Sequence, residues 1–97
     1  MPDASPPPTI TILTRHGCHL CDAARDELVR LLDERTAAGL ARPDVREVDI
    51  ESDPALLRRY LESIPVVAID GAELPLAIRS AAIRAFLAQA LDGPGHA

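Results

Sequence analysis

Cys18 and Cys21 are separated by two residues and are the only cysteines in the chain. They lie between an alternating Thr/Ile segment and a segment in which apolar residues recur at helical spacing. A cysteine at the start of a helix meets free backbone N–H groups and the positive end of the helix dipole, and both favour thiolate over thiol. The thiolate is the species that attacks a disulfide. The pair therefore predicts thiol–disulfide exchange, in which Cys18 attacks and Cys21 resolves the mixed disulfide.

Charged neighbours would modulate this chemistry. His19 lies between the two cysteines, and in its protonated form it would favour the Cys18 thiolate. Asp22, which follows Cys21 directly, would act in the opposite direction. For His19, a solvent-exposed side chain without a role stays an open alternative, and for His16 a solvated loop position is the favoured interpretation.

A close cysteine pair can also hold a metal ion or attach a haem. A metal ion could be held by the pair together with His16 and His19, but structural zinc sites usually need a second, distant ligand pair. The remaining histidine is His96, next to the last residue, so no metal site is predicted. A haem-attachment motif requires histidine after the second cysteine, and Asp22 occupies that position. A cysteine pair that takes no part in redox chemistry, on a fold that supports such chemistry in other proteins, remains an alternative.

The elements that must position the cysteines are predicted in the order β-α-β-α-β-β-α. Strands are expected at 9–14, 45–50, 64–70 and 73–78. The first helix is expected to start near Leu20 and to stop at Gly39. The second spans 52–63, with Ser52 or Asp53 as its N-cap and Pro54 at its first position. The third spans 81–91.

Details at the end of the chain complete this assignment. Ser80 is expected to cap the third helix, a turn is expected at Gly71 and Ala72, and Pro75 indicates that the last strand lies at an edge. Helices between strands imply right-handed parallel crossovers, whereas the last two strands must form an antiparallel hairpin. A small mixed sheet with helices on both faces follows.

Composition limits the classes of partner. The 97 residues suit one domain, and the net charge of -5 argues against nucleic acid. All ten basic residues are arginines, which excludes lysine chemistry. No apolar stretch approaches the roughly 20 residues of a membrane span, and the N-terminal residues do not resemble a secretory signal. We therefore expect a cytoplasmic protein, in which a close cysteine pair indicates redox or metal chemistry rather than a structural disulfide. A monomer is expected because the sequence shows no spare apolar face.

An Ile-Pro pair opens the nearly all-apolar third strand. Proline cannot donate a hydrogen bond to a sheet, and a cis Ile64–Pro65 peptide bond would explain its presence. If this bond faces the cysteines, the backbone of Ile64 could pair with an extended substrate strand.

The motifs Cys-His-Leu-Cys after the first strand and Ile-Pro-Val-Val in the third resemble the glutaredoxin and thioredoxin families in order and separation. The resemblance covers residues 9–91 and is strongest to small glutaredoxin-like proteins. It implies an α/β, thioredoxin-like fold with a four-stranded mixed sheet flanked by three helices, between a flexible Pro-rich segment at 1–8 and a flexible tail at 92–97. It also implies a dithiol–disulfide oxidoreductase with Cys18 as nucleophile, Cys21 as resolving thiol and Pro65 as the cis-proline beside them. Arg15 matches a basic residue that holds a glutathione carboxylate.

The resemblance leaves the reductant and the substrate open. Glutathione, another low-molecular-weight thiol or a thioredoxin reductase could supply electrons, with no bound cofactor. Arg79 and Ser80 stand where glutaredoxins carry an acidic pair for glutathione, which favours another thiol. The substrate would be a disulfide-containing protein or a small thiol disulfide. The alternative function is a redox-silent or metal-holding binding module that uses the groove at Ile64 and Pro65.

Overall fold

The computed structural model describes residues 7–92 and confirms the predicted order of elements. Most of the two segments predicted to be flexible, residues 1–6 and 93–97, lies outside the described residues. The strands are β1 (Ile10–Thr14), β2 (Val45–Asp49), β3 (Val66–Ile69) and β4 (Ala72–Leu74). The helices are α1 (His19–Ala37), α2 (Pro54–Tyr60) and α3 (Ser80–Asp92), with a 3-10 turn at Ile50–Ser52.

The four strands form one mixed sheet in the order β2-β1-β3-β4. β1 is parallel to β2 and antiparallel to β3, and β3 and β4 form the predicted antiparallel hairpin. The expectation of a second parallel crossover is therefore wrong. The seven residues of α2 extend about 10 Å, whereas a five-residue strand extends about 17 Å. β3 begins at the end of the sheet where β2 finished, and α2, which is shorter than a strand, does not return the chain along β2.

This topology gathers four segments at one end of the sheet. Leu13 pairs with Val66 across β1 and β3, so the end of β1 faces the start of β3. The ends of β2 and β4 lie at the same side, since β2 is parallel to β1 and β4 is antiparallel to β3. We call this end, with residues 14–21, 49–53, 61–65 and 75–80, the cysteine edge.

Alternating residues of the central strands pack against helices on both faces, as predicted. Ile10 and Ile12 of β1 belong to a large buried cluster, whereas Leu13 belongs to a second cluster on the opposite face. The large cluster contains residues of α1 and α3, among them Leu28, Leu32, Ile83 and Leu87. The second cluster contains residues around α2, namely Ile50, Tyr60 and Val66 with the partly buried Leu56, Leu57 and Ile64.

The predicted helix boundaries at Gly39 and Pro54 are confirmed. Gly39 has a φ of 89°, and the N–H groups of Gly39 and Leu40 donate to the carbonyls of Thr36 and Arg35 at 3.0 Å each. These two bonds form a Schellman motif, which needs a left-handed residue at this position. α2 begins at Pro54, and the N-cap is Asp53, whose carboxylate accepts a hydrogen bond from the Ala55 N–H at 2.8 Å.

The hairpin and the last strand differ from their predicted boundaries. The turn consists of Asp70 and Gly71, with φ of 49° and 84°, which is the two-residue turn that Asp-Gly favours. β4 is only three residues long, so Pro75 follows the strand rather than lying within it. The strand ends because Leu76 adopts a φ of 50°, outside the extended region.

Ser80 ties α3 to α1 rather than capping its own helix. It is the first residue of α3, and its hydroxyl donates to the carboxylate of Glu27 on α1. Arg30 also donates to Glu27. These hydrogen bonds lower the pKa of Glu27 to about 2, and the bond from Arg30 has a larger effect than the bond from Ser80.

We expect this contact to make the fold acid-sensitive. A carboxyl with a lowered pKa in the folded state contributes stability above its unfolded pKa, near 4.5, and loses that contribution as the pH falls towards 2. Urea unfolding of Glu27→Gln at pH 6 and pH 3 should therefore show a smaller acid-induced loss of stability than the wild type. Glu62→Gln, at an exposed position, is the control and should behave as the wild type does. Equal losses in all three proteins would contradict this role of Glu27.

Candidate active site

Cys18 is the N-cap of α1. Its backbone is extended, with φ -95° and ψ 107°, and its sulfur accepts a hydrogen bond from the backbone N–H of Cys21 at 3.1 Å. Its carbonyl accepts the first helical bond, from the N–H of Asp22 at 3.1 Å. The sulfur thus takes the position that a serine or aspartate oxygen occupies in an ordinary helix cap.

The two cysteines differ in their access to solvent. Cys18 is half-buried, whereas Cys21 is only 1% exposed. Their sulfurs lie at disulfide-bonding distance, and their Cα atoms are 5.2 Å apart, within the range that a disulfide spans without backbone movement. A partner can therefore approach Cys18 more readily than Cys21, as attack followed by resolution requires.

The Ile64–Pro65 peptide bond is cis, as predicted, and it lies at the cysteine edge. Backbone hydrogen bonds fix this segment on both sides. The N–H of Ile64 donates to the carbonyl of Tyr60 at 3.1 Å, and the carbonyl of Pro65 accepts from the N–H of Ala77 at 2.8 Å. Because the Ile64 N–H already has a partner, only the Ile64 carbonyl is available for pairing with a substrate strand.

One side-chain hydrogen bond near this segment joins α2 to β4. Tyr60, at the end of α2, is 8% exposed, and its hydroxyl donates to the carboxylate of Glu73 on β4 at 2.5 Å. The hydrogen bond to Glu73 is the main cause, and burial the second, of a raised pKa for Tyr60. Nothing in the sequence pattern pointed to the pairing of Tyr60 with Glu73.

The other predicted binding residues lie beside the cysteines. Arg15 is in the connection between β1 and α1, and its guanidinium pairs with the carboxylate of Glu51 at 3.0 Å. Both side chains are 42% exposed, so the pair lies in contact with water. His19 is the first residue of α1. The side chains of His19 and His16 are both exposed. Arg15, His19, Ile64 and Pro65 are therefore all at the cysteine edge.

A surface cavity of about 590 Å³ adjoins the connection between β1 and α1. Glu47 of β2, in its lining, accepts hydrogen bonds from the Thr14 hydroxyl and from Arg25, each at 2.9 Å. Arg25 also pairs with Asp22 at 3.0 Å, and the nearby Glu47 charge raises the pKa of Arg25. The lining residues are Thr14, Arg15, His16, Gly17, Asp22, Arg25, Glu47 and Asp49.

Among residues 7–92, no three His, Cys, Asp or Glu side chains are grouped so as to hold a metal ion. Within the same residues, no helix has the length and apolar character needed to cross a bilayer.

Comparison with solved structures supports the thioredoxin-like fold. A structural genomics protein from X. campestris, XcR50, superposes with a TM-score of 0.65 at 29% identity, over 80% of this chain and 93% of that chain. The solution structure of protein Ne2328 from Nitrosomonas europaea superposes with a TM-score of 0.61 at 22% identity, over 89% of this chain and 98% of that chain.

Comparison with protein families gives a more specific result. No curated protein matches the chain. The family described as "Glutaredoxin-like domain (DUF836)" matches residues 9–91, the same span over which the sequence motifs indicated a resemblance. This match covers both cysteines, the cis-proline, all four strands and all three helices except Asp92, the last residue of α3. The chain belongs to the glutaredoxin-like domain family.

Proposed function

We propose that the protein is a dithiol–disulfide oxidoreductase that reduces disulfides through a mixed disulfide at Cys18. The observation that carries this proposal is the hydrogen bond from the Cys21 N–H to the Cys18 sulfur, 3.1 Å long, at the first turn of a 19-residue helix. In the reduced protein the same N–H group and the helix dipole would stabilise a thiolate at Cys18.

The reaction proceeds by two exchanges. The Cys18 thiolate attacks one sulfur of the substrate disulfide, a new S–S bond forms, and the other substrate sulfur leaves as a thiolate that takes up a proton. Cys21, after losing its proton, attacks the Cys18 sulfur and displaces the second substrate thiolate. The substrate gains two electrons and two protons, and the protein is left with the Cys18–Cys21 disulfide.

The cis-proline segment would align the substrate with Cys18. Pro65 lies at the cysteine edge and the Ile64 carbonyl is the acceptor that an extended substrate strand would use. His19, one residue after Cys18, would favour the thiolate when it is protonated. Each of these groups belongs to an element that is fixed by backbone hydrogen bonds.

A thiol would return the protein to its dithiol form, by the same two exchanges in reverse. Glutathione, another low-molecular-weight thiol or a thioredoxin reductase could supply these electrons, and the cytoplasm maintains such thiols in the reduced state. Arg15 is the candidate for holding the carboxylate of a small thiol. Its present partner, Glu51, forms an exposed pair with it, and such pairs contribute only about 0–1 kcal/mol, so an incoming carboxylate could replace it.

Trapping the mixed disulfide tests the assignment of the two cysteines. With 2-hydroxyethyl disulfide as substrate, Cys21→Ser should accumulate one adduct on Cys18, because no thiol remains to resolve it. Cys18→Ser should give little adduct, since Cys21 is buried. Intact-mass spectrometry measures both. Faster adduct formation on Cys21 than on Cys18 would reverse the proposed roles.

The role of Arg15 is tested by comparing two reductants. If Arg15 binds a carboxylate, Arg15→Gln should raise the KM for glutathione by about fivefold, the effect of about 1 kcal/mol at an exposed site. The KM for 2-mercaptoethanol, which has no carboxylate, should not change. Arg42→Gln is the matched control, because Arg42 also forms an exposed ion pair, with Asp33. A change of equal size for both thiols would show that Arg15 does not contact the carboxylate.

A further inference from the structure

Exposed apolar side chains are concentrated at the cysteine edge. Among residues 7–92, seven large apolar side chains are exposed. Four of them lie in the segments that form this edge: Leu20, Leu61, Leu76 and Ile78. Packing in the hydrophobic core does not explain why these four positions are apolar, because their side chains are exposed to solvent.

Leu76 is the most exposed of the four, at 55%, and it has a φ of 50°. A residue with a Cβ atom is disfavoured in this left-handed region, where glycine or asparagine fits better. The conformation is held by the cis-proline segment, because the N–H groups of Leu76 and Ala77 donate to the carbonyls of Ser63 and Pro65, each at 2.8 Å. A strained, exposed leucine tied to the segment beside the cysteines suggests a contact with a ligand.

The chemistry of this surface favours one class of ligand. Residues 74–78, Leu-Pro-Leu-Ala-Ile, carry no charge, so they offer nothing to the carboxylates and ammonium groups of a small charged disulfide. The substrate disulfide must contact the Cys18 sulfur during exchange, so the groups that flank it must lie over the cysteine edge. In a polypeptide these flanking groups are side chains and backbone, and apolar ones match this surface.

We propose that Leu76, together with Leu20 and Ile78, docks an apolar segment next to the disulfide of a polypeptide substrate. This inference rests on the proposed oxidoreductase function, and it predicts that the surface aids the reaction of polypeptide disulfides but not that of small disulfides. Docking precedes the exchange, in which the two cysteines pass two electrons to the bound disulfide, and the two substrate thiolates take up one proton from Cys21 and one from water.

Single-turnover kinetics with two substrates tests the docking surface. The reduced protein is mixed with an excess of insulin or of 2-hydroxyethyl disulfide and quenched in acid, and the remaining thiols are counted by alkylation and mass spectrometry. Leu76→Gly should slow the reaction with insulin by about tenfold, the loss expected for part of one buried leucine. Its reaction with 2-hydroxyethyl disulfide should not change. Leu76→Asn, which also tolerates a positive φ, should behave in the same way.

A control variant tests whether the effect is specific to the cysteine edge, and the thermal midpoint tests whether Leu76→Gly remains folded. Val29→Ser removes another exposed apolar side chain, 39% exposed and distant from the cysteine edge in α1, and should leave both rates unchanged. The thermal midpoint of Leu76→Gly should stay equal or rise, since glycine relieves the strained φ.

Three results would overturn the proposal. If Leu76→Gly slowed both reactions equally, Leu76 would act on the cysteines rather than on the substrate. If it did not slow the reaction with insulin, Leu76 would make no contact with the polypeptide. A wild-type dimer that becomes a monomer in Leu76→Gly would assign the surface to a second copy of the chain. If the wild type reacts with neither disulfide, the proposed oxidoreductase function fails. If the wild type reacts with both and only the predicted effect of Leu76→Gly is absent, the docking surface alone fails.

Discussion

The hydrogen bond between the Cys21 N–H and the Cys18 sulfur is the interaction on which the chemistry of this molecule depends. It exists because the chain leaves the central strand β1, turns at Gly17 with a φ of 76°, and enters α1 with Cys18 still extended. α1 is in turn fixed by Leu28 and Leu32, both fully buried against the sheet. The position of the sulfur is thus determined by the core of the protein and not by the exposed residues around it.

The order of the strands determines what surrounds that sulfur. β1 lies between β2 and β3, so the connections that follow β2 and precede β3 lie on its two sides. One side brings the charged pair of Arg15 and Glu51, and the other brings Pro65 and, through backbone bonds, Leu76. A polar side and an apolar side therefore flank the same reactive group, and this asymmetry can distinguish among disulfides.

Residues close in sequence were predicted well, because local physics controls them. The stop at Gly39 and the start at Pro54 follow from the conformations that particular residues favour or exclude. The cis bond before Pro65 was instead implied by the family resemblance, because only about 5% of bonds before proline are cis in folded proteins. Contacts between distant residues were not predicted. Glu47 meets Thr14 and Arg25 only because β2 lies beside β1, and the pairing of Tyr60 with Glu73 depends on β3 running antiparallel, against the sequence prediction. The positive φ of Leu76 had no signal, since leucine rarely adopts it.

The most direct test of the account is the pH dependence of alkylation of the reduced protein, with mass spectrometry identifying the cysteine that reacts. If the start of α1 stabilises a thiolate, Cys18 should react first and with an apparent pKa well below the value of about 8.5 for a free thiol. If Cys18 and Cys21 both titrate near that value, or react at equal rates, the helix does not activate a nucleophile, and the central claim is contradicted.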